Sequence, residues 1–159
     1  MTFQLVDLNG SHLAQAVEIW EAGWHDAHAN LVPKELVELR TSESFLTRLH
    51  EHIANTRIGQ NGGEVLGLCM TQSDELYQMY VSAKARGQGL AQALMADAEN
   101  RLRDTGHESA WLACAVGNER AARFYEKCGW KNAGVRTVEL ATSQGVFPLP
   151  VWRFEKALI

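Results

Sequence analysis

Proline and cysteine are scarce in this sequence, with three of each among 159 residues. So little proline rules out a collagen-like or proline-rich chain, and no repeat or low-complexity tract suggests disorder. Cys69, Cys114 and Cys128 are odd in number, form no C-x-x-C pair and sit in apolar stretches. They read as buried thiols, and neither a disulfide framework nor a zinc site is expected. No H-E-x-x-H pattern occurs, so no metal is expected. The sequence has no run of roughly eighteen apolar residues that could cross a membrane. The opening MTFQLVDLNG lacks the basic-then-apolar layout of a secretory signal, so a soluble cytoplasmic protein is expected. Basic residues are not clustered either. Fifteen Lys and Arg against nineteen Asp and Glu leave a formal charge of −4, which argues against nucleic acid or an anionic membrane as partner.

The sequence has a globular composition, 46% hydrophobic and 21% charged, and its length predicts one domain over residues 1–159 that buries about two-thirds of its unfolded surface. Phe3 and Leu5 mark a first strand, and Leu13, Ala16, Val17, Trp20 and Trp24 recur at helical spacing after the turn Asn9-Gly10-Ser11. A break at 29–33 precedes a short helical piece, and Phe45, Leu46, Leu49 and Ile53 give a further stripe. From Thr56 the period becomes that of strands. TRIGQNG and EVLGLCMTQ are joined by Asn61-Gly62-Gly63, the chemistry of a tight hairpin, and ELYQMYVS follows as a third antiparallel strand. A helix with Ala91, Leu94, Met95, Ala98 and Leu102 on one face comes next. Then come the strand SAWLACAV, the helix ERAARFYEKC closed by Gly129, and two extended segments. A helix between the strands near Val81 and Ala110 acts as a crossover that sets them parallel and adjacent. The fold class is α/β of the α+β type: a mixed, mostly antiparallel sheet of about seven strands flanked by about four helices.

The segment Val81-Ser82-Ala83-Lys84-Ala85-Arg86-Gly87-Gln88-Gly89-Leu90-Ala91 carries the most chemistry. Two glycines let the backbone approach a ligand, and the helix start behind them offers unpaired N–H groups and a positive dipole end to a phosphate. Arg86 adds a planar fork of donors. No Gly-Lys-Ser/Thr follows, which disfavours a Walker A loop, and G-x-G-x-x-G is absent, which disfavours a Rossmann dinucleotide site.

Arg86-x-x-Gly89-x-Ala91 resembles the Q/R-x-x-G-x-G/A signature of the GNAT superfamily of acetyl-CoA-dependent N-acetyltransferases. Asn118 to Trp130, with Ala121, Phe124, Tyr125 and Gly129, is similar to that family's N-x-x-A-x-x-F-Y-x-x-x-G-F/W motif. The resemblance implies an N-acetyltransferase that moves the acetyl group of acetyl-CoA directly to a primary amine of a small molecule or peptide. It also implies that the main chain of Met79, Tyr80 and Val81 binds the pantetheine arm, that the amides of Arg86, Gly87, Gln88, Gly89, Leu90 and Ala91 hold the pyrophosphate, and that Asn118 and Tyr125 lie near the pantetheine and the sulfur. Tyr125 is then the general acid for the departing thiolate. A phenol of pKa about 10 can donate to a thiolate whose conjugate pKa is near 8.5. Tyr125 also fits a core-packing role, and Asn118 fits a helix N-cap.

An ammonium must lose a proton before it can attack, and Glu75 occupies the place where several family members carry a glutamate base. Asp74, His25, His28 or a water chain are alternatives. The resemblance assigns the acceptor to residues 20–39 and 137–150, and the acidic net charge mildly favours a cationic amine. Homodimerisation is compatible with the family. A non-catalytic acyl-CoA-binding module is the competing function. Trp111, Trp130 and Trp152 are expected in the core.

Overall fold

A computed structural model describes residues 2–159. β1 (Gln4–Asp7) leads through a turn capped by Asn9 into α1 (Leu13–His28). The short α2 (Lys34–Leu39) and α3 (Ser42–Glu51) follow, the latter capped by the Thr41 hydroxyl. β2 (Thr56–Asn61), β3 (Glu64–Gln72) and β4 (Glu75–Val81) form the predicted meander. Gly62 and Gly63, at φ 58° and 85°, make the hairpin turn between β2 and β3. The chain ends with α4 (Leu90–Asp104), β5 (Ser109–Ala115), α5 (Glu119–Lys127), β6 (Lys131–Thr142) and β7 (Gly145–Ala157). Among the described residues there are five α-helices, α2 being a short one of six residues.

The seven strands make one sheet in the order β1-β2-β3-β4-β5-β7-β6. Every neighbouring pair is antiparallel except β4 and β5, which run parallel as the crossover through α4 requires. Helices cover both faces, so the sheet separates two cores. On one side Leu90, Leu94, Met95, Ala98 and Leu102 of α4 pack against Leu66, Leu76, Leu112 and Phe154, with Trp130 after α5. On the other, Ala16, Trp20 and Trp24 of α1, Leu36 of α2, and Phe45 and Leu49 of α3 pack against Ile58, Leu68, Met70 and Val151. β3 lies in the middle and is buried continuously from Val65 to Met70. That is why its sequence shows an apolar run and no alternation.

Trp130 is in the core as expected, whereas Trp111 is half-buried, with its Nε1 donating to Asp74 Oδ1 at 3.1 Å and Arg153 stacked 4.5 Å from its ring. Trp152 is also half-buried and packs at the margin of the α4 side.

Two glycines bring α4 close to the sheet. A Cβ on Gly59 would stand 2.5 Å from Leu90, and one on Gly67 would stand 3.0 Å from both Leu90 and Leu94. The bare backbone at these positions is the seat into which the first turn of α4 drops. Leu94 is fully buried over it, so Leu94→Ala is expected to cost about 3 kcal/mol of unfolding free energy in urea titration. A loss below about 1 kcal/mol would show that α4 can settle into the vacated space.

Candidate active site

The two parallel strands pair at only one register, Glu75 with Trp111, beside a hydrogen bond from Trp111 N–H to Asp74 O. Beyond that point they diverge. β5 remains paired with β7 along its whole length, from Ser109 opposite Ala157 to Ala115 opposite Val151. The opening therefore lies on the side of β4 that faces β5, and from Leu76 onward this β4 edge has no strand partner. A bulge adds to the divergence: Met70 pairs with Gln78 but Thr71 with Leu76, which leaves Tyr77 as the extra residue. The parity of the strand changes there. Leu76, Met79 and Val81 face α4, while Tyr77 and Tyr80, three apart, both face α1.

The gap is a cleft of about 730 Å³. Met79, Tyr80, Val81, Arg86, Gly87, Gly89, Leu90, Ala91, Asn118 and Tyr125, all singled out in the sequence, line it. Gln88 does not; its side chain turns back to donate to Lys84 O at 3.1 Å. Glu75, Asp74 and His25 are also outside the lining, whereas His28 is part of it.

At one end of the cleft β4 runs into the glycine turn. Gly87 and Gly89 both have positive φ, 74° and 88°, and Gly89 is the residue before α4, which has no side-chain cap. The first N–H groups of that helix thus remain available to an anion. Arg86 is exposed and held only loosely by Asp26, at 3.5 Å. Arg120 also lines the cleft, a second cation that the sequence reading missed. It occupies an unspecified position of the second motif, so its only signal was its place in the first turn of a helix that starts at the cleft.

The second motif has a structural explanation. Asn118 Oδ1 accepts from Ala121 N–H at 3.2 Å, capping α5 while the residue lines the cleft. At the other end Gly129, at φ 89°, donates to Glu126 O, and Trp130 N–H donates to Tyr125 O at 3.0 Å. This is a Schellman closure, in which the residue after the left-handed glycine also makes an apolar contact. Trp130, 2% exposed, makes that contact in the core. The carbonyl of Tyr125 is thereby tied to the core while its ring packs 5.7 Å from Phe154.

Burial pushes the Tyr125 and Tyr80 phenols well above the usual tyrosine range, so both are neutral proton donors. Cys114, also in the cleft, has its thiol pushed up to about 12 by burial. His28 lies stacked on Trp24, ring centroids 4.8 Å apart, and is linked to Trp24 O at 2.8 Å through Nδ1. A carbonyl only accepts, so Nδ1 carries the proton and Nε2 keeps a lone pair. Burial lowers the His28 pKa despite that bond, which keeps the ring neutral near pH 7. His25 donates from Nε2 to Arg40 O at 2.8 Å, stapling α1 to the end of α2. Glu75 has its carboxyl raised to about 7, chiefly by burial, with the neighbouring Asp74 adding to the shift and Arg153 opposing it.

Residues 11–130 match the sequence model of the Acetyltransferase (GNAT) family. The chain belongs to the GNAT acetyltransferase family. An uncharacterized N-acetyltransferase of Mycobacterium tuberculosis is 32% identical over 117 residues, covering 70% of this GNAT chain and 72% of the relative. Two solved structures share the fold. A GCN5-related N-acetyltransferase of Rhodopseudomonas palustris has TM-score 0.77 at 20% identity, covering 99% of this chain and 96% of that one. The PaiA N-acetyltransferase of Thermoplasma acidophilum, in complex with coenzyme A, has TM-score 0.73 at 16% identity, covering 99% of both chains. Among the described residues no helix of this GNAT chain is long and apolar enough to cross a membrane.

The Glu75 carboxyl gives a pH prediction. A carboxyl raised in the folded state favours its protonated form, so its stabilising contribution is full below the unfolded value near 4.3 and fades as pH rises through about 7. Glu75→Gln keeps a neutral group at every pH, and its Tm is expected to fall less than that of the wild type between about pH 5 and 8. Equal slopes across that window would show that Glu75 ionises freely.

Proposed function

We propose that the chain transfers the acetyl group of acetyl-CoA directly to a primary amine of a small molecule or peptide. The observation that carries this reading is the unpaired edge of β4 ending at an uncapped helix start. Main-chain groups of Met79, Tyr80 and Val81 can take an amide-bearing arm as an added strand. The amides from Arg86 to Ala91, with Arg86 and Arg120, can take its phosphates. The coenzyme A bound by the structural relative from Thermoplasma supports the same assignment. Bound acetyl-CoA would supply an acetyl thioester whose C–S bond breaks as the new C–N bond forms.

The residues of the chain handle protons and position. His28 Nε2 is a neutral base inside the cleft and takes the proton that an incoming ammonium must lose. Glu75 sits where the strands are still paired, outside the lining, and would act on the same proton only through water. Tyr125 O–H donates to the sulfur as it leaves and recovers its proton from the acylated nitrogen. Cys114 is a poor acyl carrier, because a thiol titrating near 12 offers almost no thiolate at neutral pH. Direct transfer is therefore favoured over a covalent enzyme intermediate.

Thiol release from acetyl-CoA across an amine panel tests the activity. Tyr125→Phe is expected to lower kcat by about a hundredfold and leave acetyl-CoA affinity nearly unchanged. Wild type that binds acetyl-CoA yet shows no rise in thiol release with any amine of the panel would instead be a cofactor-binding module. His28→Asn should lower kcat/KM more than Glu75→Gln does at pH 7; the reverse order assigns the base to Glu75. Gly89→Val forces a branched residue into left-handed backbone at the phosphate turn and is expected to weaken acetyl-CoA binding at least about tenfold by calorimetry.

A further inference from the structure

Four buried N–H donors lack an acceptor in one region behind the α1-side wall of the cleft. They are Trp20 Nε1, Arg40 Nε, and Arg48 Nε and Nη1. The other two such atoms among the described residues, Arg101 Nη2 and Trp130 Nε1, belong to the α4 side of the sheet. Arg40 and Arg48 are 3% and 8% exposed. No ion pair among the described residues includes either one.

Their remaining bonds are to neutral groups. Arg40 Nη1 donates to Ala141 O at 2.9 Å, which ties α2 to the β6–β7 hairpin. Arg48 Nη2 donates to Tyr77 Oη at 3.2 Å, and its guanidinium lies 4.4 Å from the centroid of the Trp20 ring. Burial lowers Arg40 to about 10, and repulsion from Arg48 adds to the shift. Buried charges are ordinarily paired or coordinated, and an unpaired guanidinium carries a large desolvation cost. A fold that keeps two of them near enough to repel each other, with every orphaned atom a donor, has the complement of an acceptor-only anion. The cluster adjoins the reaction site, since Tyr77, Tyr80 and His28 all line the cleft and Arg48 is bonded to Tyr77.

We propose that the amine acceptor is a small molecule that also carries an anionic group, a carboxylate or a phosphonate, which Arg40 and Arg48 receive beside Tyr77 and Tyr80. The proposal rests on the acetyl-transfer reading above and narrows its substrate class. It reverses the expectation from net charge: the chain is acidic as a whole and Asp26 lines the cleft, but two buried guanidinium groups lie behind the part of its wall that Tyr77 and Tyr80 form.

Matched acceptors test it in the thiol-release assay with acetyl-CoA: β-alanine against β-alaninamide, 2-aminoethylphosphonate against ethanolamine, and putrescine as the cationic case. The anionic member of a pair is expected to have kcat/KM at least about tenfold higher, mainly through KM, as charge-assisted hydrogen bonds would give. The pair with the larger ratio identifies the anion as carboxylate or phosphonate. In Arg48→Met and Arg40→Met that ratio should collapse, while calorimetric affinity for acetyl-CoA and the Tm of the free protein hold or rise. Preference for the amides or putrescine, or an undiminished ratio in both variants, overturns the proposal. So does a lowered Tm with the ratio intact, which would make the arginines structural.

If no acceptor releases thiol, melting with coenzyme A bound gives the answer. Millimolar β-alanine or 2-aminoethylphosphonate should raise the Tm of wild type and not of Arg48→Met, and no shift in wild type overturns the proposal. Failure of acetyl-CoA itself to bind would be the separate failure of the acetyl-transfer reading.

Discussion

The site depends on how little β4 and β5 share. A parallel pair held at one register, with β5 committed to β7 on its other side, must open as the sheet twists. The bulge at Tyr77 sharpens the divergence and sends two tyrosines to the α1 face. Because β4 runs from the closed end toward the open one, its unpaired edge leads straight into the glycine turn and the start of α4. One departure from regular pairing thus supplies a row of free main-chain groups, a cavity and a route to a helix terminus. Backbone groups left unpaired inside a protein are costly, and here they border the cleft.

The charge distribution follows the same axis. Net charge is −4, yet the cleft has Arg86 before α4, Arg120 in the first turn of α5, and Arg40 and Arg48 behind its α1-side wall. Acidic residues are also present: Asp26 and Glu119 line the cleft, and Glu75 and Asp74 sit at the closed end of the strands, where Arg153 and Trp111 also lie. Net charge governs encounter at a distance, whereas recognition depends on the few groups that have lost their water.

Local features were legible in the sequence because their causes are local. The Asn-Gly-Gly hairpin, the helical stripes, the glycine that closes α5 and the uncapped turn before α4 each follow from residues within a few positions of one another. The divergence of β4 from β5 was not legible, since it depends on the competing pairing of β5 with β7, some forty residues further along the chain. The proton acceptor was ambiguous for a related reason. Glu75, His25 and His28 differ in burial and partners, and only packing separates a stapling histidine from one with a free ring nitrogen. Nothing in the sequence marks Arg40, just after α2, or Arg48, on α3, as buried. Their burial comes from the hairpin of β6 and β7 and from the aromatic rings of α1 and α3.

Gly59 and Gly67 do more than make room for Leu90. With the first residue of α4 fixed against bare backbone, the helix start is already oriented before any anion arrives. Ordering that turn then costs a ligand little, so most of the attraction of its amides is available as affinity. If the turn takes an anion as proposed, the two glycines contribute to its recognition from the far side of a buried leucine, without touching the anion themselves.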